Sequence, residues 1–309
     1  MKKGGNAKIF VPLFISKLVG KGMDIFFIYQ KKSDECLCMK RIVGVILLIG
    51  SIFLFAACGQ KSAASIDKVT IGASPTPHAE ILEHIKPELK KKGIDLKIVK
   101  FDDYVLPNKA LENGDIDANY FSTVPYFNLQ KKENGYKFSN VGAIHLEPMG
   151  IYAHKIKKVS DIPDGAKVIV SNVPSEWGRV LNIFVKNNLI KLKSGVAIDK
   201  ASFEDIVDNP KHLVFDHSVE PTLLTAAYEN NEGDLVAINS NFAYEKGLNP
   251  VKDSLMIEEK DSPYVNIVAT KTKNKDNQNI KKIVETLHEP AIQKWIEKKW
   301  GGSIVPVSE

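Results

Sequence analysis

Val69-Thr-Ile-Gly72 is a short apolar run with the pattern of a strand. It begins the stretch from Val69 to Phe121, which decides the fold. The residues after it alternate between two patterns: a helix over 77–92, a strand over 96–99, a helix over 104–113 closed by Gly114, and a strand from 116 to 121. The connections between these segments are short. Strands and helices that alternate in this way predict a parallel sheet with helices on both faces.

A second block repeats this alternation in the middle of the chain. Its predicted elements are strands over 167–170, 213–215, 235–238 and 265–269, a helix over 178–188 and a long amphipathic helix over 280–300. An apolar stretch over 141–153, broken by Pro148 and Gly150, predicts one crossover between the blocks, and we expect a second near 239–243. The predicted fold class is α/β and bilobal, with lobe 1 formed by 67–150 plus 241–309 and lobe 2 by 151–240. A cleft between two such lobes is a usual place for a small ligand.

The residues before the first strand contain the parts of a secretory signal. Met39-Lys-Arg41 is the basic start, 42–57 is the apolar middle, and Cys58 follows small residues. The apolar run is shorter than the roughly twenty residues that a transmembrane helix needs. Leu54-Phe-Ala-Ala-Cys58 resembles the bacterial lipobox, although Phe55 stands where that motif has an aliphatic residue. We expect a lipoprotein signal over 39–57, acylation (palmitate) of Cys58 and a polar tether over 58–66; the alternative is an ordinary signal that leaves Cys58 as a free thiol.

Residues 1–38 stand in front of that complete signal and have the pattern of neither a signal nor a domain. We expect the natural start to be Met39, which makes 1–38 a non-native or untranslated leader. The alternative is a real extension, which would turn the apolar run into an internal anchor.

Charge and cysteine content exclude several classes of function. The formal net charge is +5, but the first 57 residues hold about nine of the lysines and arginines and about three of the acids, so the rest is nearly neutral. Lysines are interleaved with acids, which predicts no nucleic-acid partner. The cysteines are Cys36, Cys38 and Cys58, so the exported body has none and forms neither a disulfide nor a thiolate metal site.

The motifs of common enzymes are missing from the sequence. There is no Gly-x-Gly-x-x-Gly, no phosphate loop and no Gly-x-Ser-x-Gly around Ser74, Ser122 or Ser240. The histidine pairs that lie close in sequence, His78 with His84 and His212 with His217, do not have the spacing that places both side chains on one helical face. We predict surface or capping histidines, no metal, no cofactor and no catalytic activity.

Arg179 is the only arginine after Cys58, in the run Ser171-Asn-Val-Pro-Ser-Glu-Trp-Gly-Arg179. A guanidinium binds a carboxylate through two parallel hydrogen bonds, which a lysine cannot do. Because the chain after Cys58 otherwise uses lysine, this single arginine indicates a ligand contact at Arg179. The alternative is an arginine left by a lysine-biased composition, paired with an internal Asp or Glu.

Aromatic and amide side chains cluster near the proposed crossovers. The aromatic residues of the first block and its exit are Tyr104, Tyr120, Phe121, Tyr126 and Tyr152. The residues where the chain comes back from the second block are Asn239, Asn241, Tyr264 and Asn266. An amide both donates and accepts, so it can hold an amino group or a carboxylate without adding charge. Each of these residues is individually more often a turn or capping residue.

Five ordered motifs show a family resemblance that runs from about Val69 to the C-terminal helix. They are Phe101-Asp-Asp-Tyr-Val-Leu-Pro-Asn108, Gly114-Asp-Ile-Asp-Ala-Asn-Tyr-Phe121, Glu147-Pro-Met-Gly-Ile-Tyr152, Ile238-Asn-Ser-Asn241 and Ser262-Pro-Tyr-Val-Asn266. Together they resemble the NlpA/MetQ family of methionine-binding lipoproteins. The resemblance implies a bilobal, type 2-like periplasmic-binding-protein fold. It also implies a protein anchored by lipid on the extracytoplasmic face of the cell membrane, which delivers methionine to an ABC permease and its ATPase.

The resemblance also implies the site residues. Arg179 matches the arginine of the family motif Asn-x-Pro-x-Asn-x-Gly-Arg and would hold the ligand carboxylate, and Asn239 and Asn266 match the family asparagines. Tyr104 and Phe121 match its aromatic pocket. Two positions depart from the family: Glu176 replaces the second asparagine of that motif, and Thr123 replaces the histidine of Phe-Gln-His.

These departures leave the ligand open. Either Glu176 points to solvent and methionine binds, or Glu176 and Thr123 change the site for a methionine-containing dipeptide or another amino acid. A competing class is a surface lipoprotein that acts as an adhesion or interaction module.

Overall fold

The structure, a computed structural model, describes residues 66–307. The helices in this part of the chain are α1 Glu80–Lys91, α2 Leu106–Asn113, α3 Val124–Asn134, α4 Pro174–Lys186, α5 Leu224–Glu229, α6 Ser240–Glu245, α7 Pro250–Asp253, α8 Gln278–Leu287 and α9 Pro290–Lys299. The strands are β1 Asp67–Ala73, β2 Ile94–Lys100, β3 Ala118–Thr123, β4 Phe138–Leu146, β5 Gly150–Tyr152, β6 Lys167–Ser171, β7 Lys191–Leu192, β8 Ile206–Asp208, β9 Val214–Val219, β10 Leu235–Ile238, β11 Met256–Ile257, β12 Val265–Lys271 and β13 Val305–Pro306.

The first sheet has six strands in the order β13-β4-β12-β3-β1-β2. Strands β2, β1 and β3 are parallel, as the sequence predicts. Strand β12 is antiparallel to both β3 and β4, which the sequence pattern did not predict. Neighbouring residues of β12 point to different cores: Val268 packs with α1 and α8, whereas Ile267 packs with residues of α2 and α3. Both faces of this sheet are therefore covered, as predicted.

The second sheet has five strands in the order β11-β5-β10-β6-β9. Strands β10, β6 and β9 are parallel, and β5 runs antiparallel beside β10 and β11. Its core draws on α4, which contributes Val180, Leu181 and Phe184 to a cluster with strand residues such as Val168. Strands β7 and β8 form a small antiparallel pair of their own.

Local sequence signals explain where several helices begin and end. Gly114 ends α2 with a φ of 87°, a left-handed conformation that glycine adopts without steric cost. Pro174 starts α4 at the first helical position, so this helix begins before the predicted residue 178. The single helix predicted over 280–300 is wrong, because Pro290 has no N–H to continue it and instead starts α9.

The chain returns to the six-stranded sheet later than predicted. Phe242 and Ala243 of α6 pack with Ile238 of β10, and β11 pairs with β5, so the five-stranded sheet extends to β11, although Tyr244 of α6 packs against the core of the six-stranded sheet. The chain crosses back between β11 and β12. The predicted return at 241 is wrong for this reason, and the remaining lobe boundaries stay a prediction.

The predicted leader over 1–38, the signal over 39–57 and Cys58 lie outside the described residues, as does all but the last residue of the predicted tether. Within residues 66–307, the apolar stretches of the helices are all too short to cross a membrane.

Candidate functional site

A cavity lies between elements of the two sheets, at the kind of interface where small ligands usually bind. Its lining residues are His78, Tyr104, Phe121, Ser122, Thr123, Tyr126, Glu147, Glu176, Arg179, Asn239, Ser240, Asn241 and Asn266. All seven residues predicted to bind a ligand are among them: Tyr104, Phe121, Thr123, Glu176, Arg179, Asn239 and Asn266. Their contact with a ligand stays a prediction.

Arg179 is 3% exposed and forms ion pairs with the carboxylates of Glu176 and Glu258. We call these three residues the guanidinium centre. Its Nε donates to Glu258 Oε2 over 2.9 Å, and its Nη2 donates to the same oxygen and, over 2.8 Å, to the Glu147 carbonyl. Nη1 donates to Glu176 Oε2 over 3.2 Å. These bonds leave one Nη1 hydrogen without a partner among the described residues.

Electrostatics within the guanidinium centre favour the charged form of the arginine. Burial alone lowers the pKa of Arg179, but the carboxylates of Glu258 and Glu176 raise it above its ordinary value. The ring of Tyr264 lies 4.6 Å from the guanidinium carbon and adds a cation–π contact. Arg179 thus lines the cavity and also pairs with internal acids, as one sequence alternative expected, while its contact with a ligand stays a prediction.

Close packing fixes the helix that carries Arg179. A Cβ on Gly178 would lie 1.6 Å from the carbonyl oxygen of Ile198, so no larger residue fits at this position without moving the backbone. The Trp177 indole N–H donates over 2.9 Å to the carbonyl of Ser171, at the end of β6. These contacts hold the first turns of α4 against the turn at Ile198 and the end of β6, and Arg179 on this helix lines the cavity.

Glu176 is 3% exposed, so the alternative in which it points to solvent is wrong. Its Oε2 accepts from Arg179 and, over 3.0 Å, from Asn239 Nδ2. Its Oε1 lies 3.5 Å from the Thr123 hydroxyl, at the end of β3 in the other sheet. Asn239 Oδ1 is buried and has no hydrogen-bond partner in the described part of the chain. Glu176 and Asn239 therefore present acceptor oxygens next to one another.

A second buried group, the imidazole centre (His78, His145 and Glu147), lies beside the guanidinium centre. Glu147 Oε1 is 3.1 Å from His78 Nε2 and 2.7 Å from His145 Nε2. His78 Nε2 also lies 3.1 Å from Asn266 Oδ1, and His145 Nδ1 contacts the Tyr120 hydroxyl. The prediction that the histidines are surface or capping residues is wrong for His78 and His145, which are at most 1% exposed.

Burial keeps the imidazoles neutral near pH 7. Desolvation lowers the pKa of His78 to about 4, although the Glu147 carboxylate opposes the shift, and it lowers the pKa of His145 to about 3. Burial raises the pKa of Glu147, opposed by His78 and Arg179. Two imidazoles and a carboxylate are a donor set that zinc accepts. The hydrogen bonds among them already account for their arrangement, and the predicted absence of a metal stays a prediction.

An aromatic wall completes the cavity. The ring of Tyr104 lies 6.1 Å from that of Phe121 and 5.8 Å from that of Tyr126. The Tyr104 hydroxyl donates to Asn241 Oδ1 over 2.7 Å, and the Tyr126 hydroxyl donates to the Tyr104 carbonyl over 3.0 Å. The polar ends of these side chains are thereby satisfied, so that their rings offer an apolar surface of the kind that receives a thioether.

Sequence reasoning did not mark Glu147 and Glu258, which both accept hydrogen bonds from Arg179. Glu147 belongs to a motif that carries the family resemblance, which could have marked it. Glu258 stands in an acidic loop and is 79 residues from Arg179, so no local pattern pointed to it. It also accepts from the Met149 backbone N–H over 2.9 Å and thereby joins the two crossovers.

The chain is similar in sequence and in fold to several known proteins. The methionine-binding lipoprotein MetQ of Bacillus subtilis (strain 168) is 44% identical over 274 residues, which cover 87% of this chain and 99% of that protein. The crystal structure of a pheromone cOB1 precursor/lipoprotein of the YaeC family from Enterococcus faecalis V583 matches with a TM-score of 0.77 and 53% identity, covering 78% of this chain and all of that one.

A nutrient-binding protein from Burkholderia cenocepacia, solved bound to methionine, matches with a TM-score of 0.73 and 35% identity over 78% of this chain and all of that one. These neighbours confirm the two-lobed α/β periplasmic-binding-protein fold that the sequence predicts. The family model described as NlpA lipoprotein matches residues 69–308. The chain therefore belongs to the NlpA lipoprotein family.

Proposed function

We propose that this chain is the solute-binding component of an ABC importer and takes methionine, or a compound built on methionine, into the cavity between its two sheets. The observation that carries the proposal is the lining of that cavity. It combines one buried guanidinium, buried amides and a wall of aromatic rings, in a family whose relatives include proteins named for methionine binding. A buried cavity of this kind binds a small polar molecule with an apolar side chain.

The residues divide into a polar end and an apolar end. The free N–H of Arg179 Nη1 and the amides of Asn239 and Asn266 face the polar groups of the ligand, and Tyr104 and Phe121 enclose its side chain. A hydrogen bond to a charged group contributes about 1.5–3 kcal/mol, and burial of a methionine side chain contributes about as much. Several such terms reach the roughly −8 kcal/mol of micromolar binding.

The polar residues of the cavity favour binding over catalysis. The Ser122 hydroxyl donates to the Thr123 carbonyl and that of Ser240 donates to the Pro148 carbonyl, so neither is placed against a general base. We therefore assign the chain no enzymatic activity.

The membrane anchor and the partners form part of the same proposal. Acylation of Cys58 would tether the protein to the extracytoplasmic face of the cell membrane, and a permease with its ATPase would receive the ligand. The names of the relatives as lipoproteins support this location. No observation favours an adhesion module.

Native mass spectrometry and thermal-shift screening of the full-length chain in detergent test the proposal. We expect an adduct of methionine size, or a melting temperature raised by methionine or a methionine derivative. Arg179→Lys should weaken binding at least about tenfold in calorimetry, because a point charge cannot reproduce the guanidinium geometry. The exposed Lys186→Gln, on the same helix, serves as the matched control. If the screen shows no adduct and no shift in melting temperature, the proposal is excluded and the surface-interaction class is favoured.

A further inference from the structure

Negative charge exceeds positive charge in the guanidinium centre. Arg179, Glu176 and Glu258 are each at most 4% exposed, and the two carboxylates use three of the five N–H groups of the guanidinium. A pair of carboxylates around one arginine carries a formal charge of about −1 when all three groups are ionised. Nearby Glu147 adds a further acidic group to the cavity wall.

This balance disfavours a free carboxylate on the ligand. A carboxylate brought to Arg179 would meet Glu176 and Glu258 at the same guanidinium, so three anions would share one buried cation. The single free hydrogen of Nη1 cannot form the two parallel bonds by which arginine usually holds a carboxylate. That hydrogen suits one neutral acceptor, such as a carbonyl oxygen.

The same balance favours an ammonium group. Glu176 Oε2 and the unpartnered, buried Asn239 Oδ1 are acceptors on adjacent side chains, joined by the 3.0 Å bond from Asn239 Nδ2 to Glu176. A protonated amine placed between them would satisfy the orphaned amide oxygen and neutralise the excess charge.

We infer that the cavity selects a methionine unit whose amino group is free and protonated and whose α-carboxylate is masked as an amide or ester, as in the first residue of a peptide. Glu176 is the residue that sets this preference, because it occupies the guanidinium that would otherwise hold a carboxylate. The inference rests on the proposed function and narrows its ligand class.

Calorimetry with three ligands tests the inference on the full-length chain, purified in detergent and stripped of co-purified ligand. The ligands are L-methionine, L-methioninamide, which lacks the carboxylate, and N-acetyl-L-methionine, which lacks the ammonium group. A pH of about 6.5 keeps α-amino groups protonated, since their pKa is about 7.7–8.0. We expect the amide to bind about tenfold tighter than methionine and N-acetyl-L-methionine to show no detectable binding.

Glu176→Gln then tests the residue itself. It removes the charge and keeps the size of the side chain, so the preference should fall or reverse in favour of methionine. Glu112→Gln removes an exposed carboxylate that does not line the cavity and should leave the preference unchanged. Circular dichroism checks that both variants are folded.

Each outcome decides between the two proposals. Tighter binding of the amide, lost in Glu176→Gln, supports the inference. Tighter binding of methionine by the unaltered chain overturns it and leaves the proposed function intact, without any need for a variant. An amide preference that persists in Glu176→Gln removes Glu176 from the role. If none of the three ligands binds to the unaltered chain, both proposals fail.

Discussion

The guanidinium centre and the imidazole centre are two buried clusters of ionisable side chains, and they are stabilised in opposite ways. The guanidinium centre stays charged, because Glu258 and Glu176 compensate the burial of Arg179. The imidazole centre keeps both histidines neutral, because burial lowers the pKa of each well below 6.5. In the guanidinium centre, ion pairing offsets the desolvation cost of the buried arginine charge. In the imidazole centre, the histidines avoid that cost because they lose their protons.

One residue joins the two centres. The carbonyl oxygen of Glu147 accepts from Arg179, and its carboxylate lies against His78 and His145. Glu147 stands between β4 and β5, where the chain passes from the six-stranded to the five-stranded sheet. Glu147 therefore contacts both centres at this crossover, and we expect each centre to respond differently when its ionisable group is removed or protonated.

The largest expected effect follows from Arg179→Met, which leaves Glu176 and Glu258 buried without their counter-charge. Breaking a buried ion pair by removing one partner costs about 3–5 kcal/mol. Chemical denaturation should show a loss of this size in the free energy of unfolding. Lys186→Met, on the same helix, removes a cation that is 48% exposed and pairs with Glu259, and it should cost at most about 1 kcal/mol.

A loss in Arg179→Met no larger than that of Lys186→Met would show that the carboxylates are not dependent on the guanidinium. The charged description of this centre would then be wrong.

Acidification should act on the imidazole centre. In the unfolded chain His78 and His145 titrate near 6.5, whereas in the folded chain their pKa values are about 4 and about 3. The unfolded state therefore takes up protons first as the pH falls, so the stability that these groups contribute is complete above 6.5 and is lost below it. We expect each histidine to account for about 2 kcal/mol of the loss between pH 7 and pH 5. The raised pKa of Glu147 opposes part of this loss.

His145→Gln isolates that contribution, because glutamine offers a donor and does not titrate. Its free energy of unfolding, measured by urea denaturation, should depend less on pH between 7 and 5 than that of the unaltered chain. The control is His212→Asn, at an exposed histidine whose pKa is raised by the hydrogen bond that its Nδ1–H donates to the Asp164 carboxylate. A raised folded-state pKa contributes stability below 6.5 that is lost as the pH rises, so the control should shift the slope slightly in the other direction. Equal slopes in His145→Gln and the unaltered chain would contradict a neutral imidazole centre.

The sequence predicted one centre in part and the other not at all. Arg179 stood out because it is the only arginine after Cys58, and Glu176 stood out because it departs from the family motif. Both lie on one helix, where local spacing carries information. His78, His145 and Glu147 come together only through the pairing of β12 with β4 and the packing of the first lobe, which no local pattern specifies.

The fold shows the same division. The parallel strands β1, β2 and β3 followed from apolar runs and short connections, and Gly114 ended α2 as predicted. The antiparallel insertion of β12 and the late return after β11 depend on pairing between residues far apart in the sequence. Periodicity gives the type of an element, whereas the order of strands in a mixed sheet depends on tertiary contacts.

The smallest expected effect concerns Thr123, whose hydroxyl lies between the two sheets. This side chain caps α3 by accepting from the Tyr126 N–H over 3.4 Å, and it lies 3.5 Å from Glu176 Oε1. Thr123→Val keeps the shape and removes the hydroxyl, so it should cost about 1 kcal/mol of stability through loss of the cap, whereas Thr123→Ser should cost less. Because the contact to Glu176 is long, ligand affinity should change less than twofold to threefold in Thr123→Val. A larger loss of affinity, measured by calorimetry in a variant of near-normal stability, would mean that the hydroxyl orients Glu176 and that the first sheet helps to set the charge of the guanidinium centre.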